Sequence, residues 1–125
     1  MPNLVYVLVG GALGAGARYE VGRWTVRQIG TGFPWGTLIV NLAGGLLMGL
    51  LVGGFSGKAY VDRPLWMLLG VGMLGGFTTF SSFSLDLWLM LQRGAVGTAF
   101  GYAFGSAIGA LLLLMAGWYV ARVVA

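Results

Sequence analysis

The sequence predicts an all-α integral membrane protein of four transmembrane helices, with a break in the third. Three observations carry that expectation. The chain has 125 residues, of which 58% are hydrophobic and only 8% charged. A soluble domain carries about 25% charged residues to cover its surface, so a water-exposed globule is excluded. The few charges, seven Lys/Arg and three Asp/Glu, divide the chain into long uncharged runs at 28–57, 64–85 and 94–121. Each of these exceeds the roughly 20 residues needed to cross a hydrocarbon core about 30 Å thick.

The first 17 residues also carry no charged side chain, and the apolar pattern continues past Arg18 and Glu20 to Trp24. The expected spans are therefore 4–24, 33–55, 65–91 and 96–121. They are joined by the polar or helix-breaking stretches TVRQIGTG, SGKAYVDRP and QRGA. A single four-helix domain over 1–125 is expected, with no separate soluble part. Ala15-Gly16-Ala17 has the small residues of a leader cleavage site, but the basic start such a leader needs is missing. The first segment is thus read as a retained span.

Cys and His are both absent. This excludes disulfides, thiolate or imidazole metal sites, and Cys or His catalysis. No pair of catalytic groups has a plausible meeting place, so no enzyme is expected. The net charge of +4 is too sparse for a nucleic-acid footprint, which needs a clustered basic face.

Orientation in a bilayer follows the asymmetry of Lys and Arg between its two sides. Four spans place Lys58, Arg63 and Arg122 on the side of both termini, and Arg18, Arg23, Arg27 and Arg93 on the other. So small an imbalance predicts insertion in both orientations. The alternative is that Arg23 and Arg27 alone fix one. Up and down copies can pair as an antiparallel, dual-topology homodimer with two-fold symmetry. Glycine ladders at spacing four point to close helix packing in lipid: Gly45, Gly49, Gly53 and Gly57 on the second helix, and Gly97, Gly101, Gly105 and Gly109 on the last. Gly10/Gly14 and Gly72/Gly76 are single steps of the same kind. Packing within one subunit accounts for part of this pattern, and a dimer for the rest.

Polar residues inside spans are informative because an unsatisfied group in hydrocarbon costs several kcal/mol. Asn41 lies near the middle of the second helix, with Thr37 one turn before it. Thr98, Tyr102 and Ser106 form a stripe at spacing four on the last. A lone hydroxyl can bond its own i−4 carbonyl, whereas an Asn side chain needs an external partner. The third helix carries GGFTTFSSFS over 75–84. Gly75 and Gly76 weaken the helix. The hydroxyls Thr78, Thr79, Ser81, Ser82 and Ser84 follow, interleaved with Phe77, Phe80 and Phe83. A broken helix at the midplane exposes backbone groups that commonly line cavities and coordinate ions. Carbonyls suit a hard monovalent cation. Hydroxyls, amides and the positive rim of a phenyl ring suit an anion. The bland alternative is a Phe stripe filling a core beside a glycine kink.

Gly70, Gly72 and Gly75 also match G-x-G-x-x-G. That pattern makes a dinucleotide loop only between a strand and a helix, and here it lies inside an apolar span. Glu20, Arg23 and Arg27 have the spacing of a solvated ion-pair cluster. Arg18 is deeper, where an arginine snorkels or lines a wet, anion-attracting vestibule. Asp86 is expected in a facing vestibule or paired with a basic residue.

At GGFTTFSSFS the chain resembles the Fluc (CrcB-type) fluoride channels. The resemblance extends to Gly36-Thr37-Leu38-Ile39-Val40-Asn41, similar to the family's G-T-L-x-V-N. It also covers Gly10-Gly11 with Gly14 and Arg18, and the spacing of Tyr102 and Ser106. It implies a dual-topology antiparallel homodimer in the plasma (inner) membrane, with two fluoride pores and a central structural Na⁺. Backbone carbonyls of Gly75 and Thr78 from both subunits would hold that sodium. Phe80 and Phe83 match the ring pair that lines fluoride positions, and Asn41 matches the pore asparagine. Tyr102 and Ser106, with a third-helix hydroxyl (Thr79 or Ser81), match the polar track. Arg18 matches the vestibule arginine by its place after the glycines. Three departures stand out: Ser82 for Thr, Ala110 where some members place a further track serine, and Phe77 for a common Leu. The implied activity is passive export of fluoride from the cytoplasm. Two rivals remain. One is a small proton-coupled exporter of organic cations, for which Glu20 or Asp86 would have to be the membrane-embedded carboxylate. The other is a non-transporting packing subunit of a larger membrane complex.

Overall fold

A computed structural model describes residues 2–55 and 57–124. All regular structure among them is helical: α1 (Pro2–Gln28), α2 (Trp35–Gly54), a π-helical segment (Trp66–Leu74), the single turn α3 (Gly75–Phe77), α4 (Ser81–Gln92) and α5 (Val96–Val124). Three stretches are long and apolar enough to cross a membrane: Trp35–Gly54, Trp66–Gln92 and Val96–Val124. The helix α1 is 27 residues long but lies outside that set. Arg18, Glu20, Arg23 and Arg27 crowd its second half. The outer surface is apolar, with Leu13, Trp24, Phe104 and Leu112 all exposed. A monomeric soluble protein does not present that much contiguous apolar surface. The chain is a multi-pass membrane protein.

Glycine contacts set the packing. A Cβ on Gly10 would fall onto the Leu68 carbonyl oxygen, and one on Gly14 onto that of Met73. In return, Gly72 and Gly76 sit against the backbone of Val7, Gly10 and Gly11. The positions advance together, so α1 and the Trp66–Gln92 stretch run parallel at backbone contact. The same holds for α2 and α5, where Gly45, Gly49 and Gly53 meet the backbone at Ala110, Leu114 and Trp118 in turn. Small residues permit such approach, and van der Waals contact then holds the pairs together.

The two ladders of the sequence thus separate. On α2 the ladder is spent inside the subunit, and Gly57 belongs instead to a turn with φ 79°. On α5, nothing stands within 4 Å of a Cβ at Gly97, Gly101 or Gly105. A Schellman turn at Gly94 (φ 79°) folds α4 back onto α5. There the Ala95 N–H donates to Met90 O at 2.9 Å and the Gly94 N–H to Leu91 O at 3.1 Å. Met90, Ala99 and Tyr102 form the buried core under this corner.

Candidate functional site

The Trp66–Gln92 stretch is interrupted where α3 ends. Gly75 and Gly76 are themselves helical, and the chain turns extended one residue after Phe77, at Thr78 (φ −86°, ψ 160°). Helix resumes at Ser81. Upstream, the π-helical turns contain Gly70, where a Cβ would strike the Trp66 ring. π-Turns are associated with functional sites, and nothing in the composition announced this one.

The Asn41 side chain occupies the gap. Its Nδ2 donates to Thr79 O at 3.0 Å, and its Oδ1 accepts from the Thr79 N–H at 2.8 Å. The carboxamide therefore acts as a surrogate peptide, satisfying both the N–H and the carbonyl of Thr79. Thr78 bonds back to Leu74 O through its N–H at 3.0 Å and through Oγ1 at 2.9 Å. Thr79 Oγ1 accepts from the Ser82 N–H at 3.2 Å, supplying one partner for the first turn of α4. Because Thr79 N–H is turned to Asn41, it does not close the helical bond to Gly75. Among the described residues nothing donates to the Gly75 or Thr78 carbonyl oxygens. Two free carbonyls beside a helix break are the donor set of a hard monovalent cation, so these residues fit the expected sodium. No three His, Cys, Asp or Glu side chains cluster as metal ligands among the described residues.

A cavity of about 390 Å³ opens beside the break. Its walls include Asn41, Gly75, Thr78, Thr79, Phe80, Phe83 and Ser106. Phe80 is 78% exposed and reaches away from its own subunit. Phe83 is half-buried, and the two ring centroids are 5.8 Å apart. The Ser106 hydroxyl is buried and has no partner among the described residues. Such a group costs about 1–3 kcal/mol unless something else bonds it.

Other expected residues lie elsewhere. Ser81 is exposed on the first turn of α4, its Oγ 3.5 Å from Thr79 Oγ1. Tyr102 is buried but does not wall this cavity. Its O–H donates to Asp86 Oδ2 at 2.9 Å, so in this arrangement its proton is committed. Asp86 therefore pairs with a tyrosine, where the sequence reading offered a vestibule or a basic residue. It also walls a second cavity of about 320 Å³ at the end of the bundle, together with Arg93, Thr25, Thr37 and Phe33. Tyr102 and Asp86 lie on different helices, and no periodicity links them. Arg18 is half-buried against α3, and its Nε donates to Gly76 O at 3.1 Å. It is not among the residues lining the cavity at the break. Of the expected ion-pair cluster only Arg23–Glu20 forms, at 3.1 Å and exposed. Such pairs contribute little.

An interrupted apolar span, closed by an asparagine and beside a cavity walled by Phe80, Phe83 and Ser106, defines a helical membrane protein with an open site at the break. The family model described as CrcB-like protein, Camphor Resistance (CrcB), matches residues 5–118. Relatives named Fluoride-specific ion channel FluC match almost end to end. The one from Sphingopyxis alaskensis is 48% identical over 122 residues, covering 98% of this chain and 97% of the relative. The one from Phenylobacterium zucineum is 49% identical over 123 residues, with 98% and 97% covered. A third, from Caulobacter vibrioides, is 48% identical over 123 residues with the same coverage. The chain belongs to the CrcB family, an ion-channel family and not an enzyme family. The resemblance first visible at GGFTTFSSFS is borne out over the whole length.

Proposed function

We propose that this chain is a fluoride-selective channel that lets the anion leave the cytoplasm passively, down its electrochemical gradient. The carrying observation is the cavity at the break, where the Phe80 and Phe83 rings and the orphaned Ser106 hydroxyl meet a helix end held open by Asn41. Fluoride is small and strongly hydrated, and moving a bare charge into low dielectric is costly. A selective path must replace its water with close donors, yet bind weakly enough at each site for the ion to leave. The α4 helix starts at Ser81, next to the cavity residues Thr79 and Phe80, and the positive end of a helix dipole favours an anion nearby. Ring rims add weak positive edges.

The exposure of Phe80 and the open α5 glycines favour a second copy. In our reading α1 supplies a fourth crossing, and near-balanced charge lets two copies insert oppositely in the plasma membrane as an antiparallel homodimer. Two-fold symmetry then gives two fluoride routes. The same axis brings together the free Gly75 and Thr78 carbonyls of both copies, which would hold one structural Na⁺. Its charge would fix the two breaks against each other. Lipid surrounds the assembly.

The cation-exporter reading has less support. It needs an embedded, exchangeable carboxylate. Glu20 is exposed and paired with Arg23, and Asp86 is occupied by Tyr102.

Proteoliposomes holding the purified chain are expected to release fluoride to an electrode rapidly and chloride negligibly. Fluoride release no faster than from protein-free vesicles would sink the proposal. Phe83→Ile removes a ring rim while keeping an apolar side chain. It is expected to slow fluoride efflux by roughly tenfold or more with the dimer intact on size exclusion. Unchanged flux would remove the rings from the mechanism.

A further inference from the structure

We infer that Phe33 is the mouth ring of the fluoride route and selects which anions pass from the end cavity towards the break. The inference rests on the channel reading above. Three spaces follow one another along the subunit, and they share walls in a strict order. The end cavity contains Arg93 and Asp86. Beside it runs a largely apolar groove of about 360 Å³ over Gly101 and Gly105, walled also by Leu38, Leu42, Thr98, Tyr102 and Ser106. The cavity at the break comes last. Among the described residues, Phe33 is the one walling both the end cavity and the groove, and Ser106 the one walling both the groove and the cavity at the break. No residue walls both the first and the last. Phe33 thus stands between the end cavity and the groove, and Ser106 between the groove and the cavity at the break.

The rings run the same way. Phe33 stands edge-on to Tyr102, with centroids 5.3 Å apart and planes at 81°. Tyr102 lies 5.0 Å from Phe83, and Phe83 lies 5.8 Å from Phe80. Phe33 thus extends the ring pair of the break out to the polar mouth. The loop that carries it leaves α1 through Gly30 (φ 102°), a conformation that favours glycine. Trp35, 4.7 Å away, backs the ring. Its task follows from what it separates. On its outer side Arg93 attracts anions. On its inner side the groove is walled by Leu38, Leu42 and bare glycine positions, with no cationic side chain among the described residues that line it. An anion crossing between them gives up water beside a ring rim.

The test compares full-length variants in proteoliposomes by fluoride-electrode efflux, with folding and dimer state checked on size exclusion. Phe33→Ile, apolar but ringless, is expected to slow fluoride efflux by roughly tenfold. Phe33→Trp, which restores a ring, is expected to stay within about threefold of wild type. Gly101→Val fills the groove from a position with open space at its Cβ. It is expected to slow efflux by roughly tenfold, and it decides the matter should Phe33→Ile not fold. Full flux in a folded Phe33→Ile protein overturns the inference. So does equal loss in the Ile and Trp variants, which reduces Phe33 to packing. Full flux in Gly101→Val also overturns it. Wild-type vesicles without fluoride release would instead defeat the channel reading, so the two failures are told apart by the wild-type trace.

Discussion

Asn41→Leu is expected to unfold the break and abolish fluoride release together. Leucine nearly matches asparagine in volume but offers neither donor nor acceptor. The Thr79 N–H and carbonyl, bonded at 2.8 and 3.0 Å to the Asn41 side chain, would both lose their partner. Each unsatisfied buried group costs about 1–3 kcal/mol, and no bulk water is present at this depth to take over. The expected destabilisation is therefore roughly 2–6 kcal/mol, read as a drop in the thermal unfolding midpoint in detergent. Asn41→Asp separates the two bonds. A carboxylate still accepts from the Thr79 N–H but sets a second oxygen against the Thr79 carbonyl. It also places negative charge where the anion is proposed to dwell. This variant should fold better than Asn41→Leu and conduct no better. An Asn41→Leu protein with unchanged midpoint would show that the carboxamide does not hold the break.

Much of this arrangement could be read in the sequence, for a simple reason. Ten charges in 125 residues mark span ends sharply, because a charge inside hydrocarbon is costly and rare. The expected limits 33–55 and 96–121 accordingly fall close to Trp35–Gly54 and Val96–Val124. Asn41 was legible as a residue needing a distant partner, since an amide in a span cannot satisfy itself. The identity of that partner was not, because contact between Asn41 and Thr79 depends on how two helices are rotated against each other. Gly75 and Gly76 were read as the weak point of the third helix. They lie inside its last turn, and a Cβ on Gly76 would stand 2.7 Å from the Gly11 carbonyl oxygen. Gly76 serves approach to α1, and the chain opens one residue after Phe77. The π-helical turns left no trace in periodicity, since a wider turn needs only room, here given by Gly70 beside Trp66. Phe33 and the Tyr102 partner of Asp86 were missed because their neighbours come from other elements.

The two glycine ladders, indistinguishable as patterns, are expected to differ in tolerance. Gly49→Ala places a methyl on the Leu114 carbonyl oxygen, with the Leu114 Cα 3.0 Å away. Both are backbone, so relief requires α2 and α5 to separate. These two helices share the longest close contact of the subunit, and the shift would also part Gly53 from Trp118. Overpacking of this kind costs about 1–3 kcal/mol, and Gly49→Val should cost more. Gly97→Ala meets no atom within 4 Å. There the added methyl only removes backbone freedom from the unfolded chain, worth up to about 1 kcal/mol in favour of helix. The unfolding midpoint should fall in Gly49→Ala and hold or rise in Gly97→Ala, measured side by side in the same detergent. Equal losses at both positions would mean that the open face of α5 is closed by a neighbour as tightly as α2 closes the inner one. In the antiparallel dimer proposed above that neighbour is the second copy, and the Gly97→Ala protein would then elute as a monomer on size exclusion, while Gly49→Ala would lose helicity before it lost its partner.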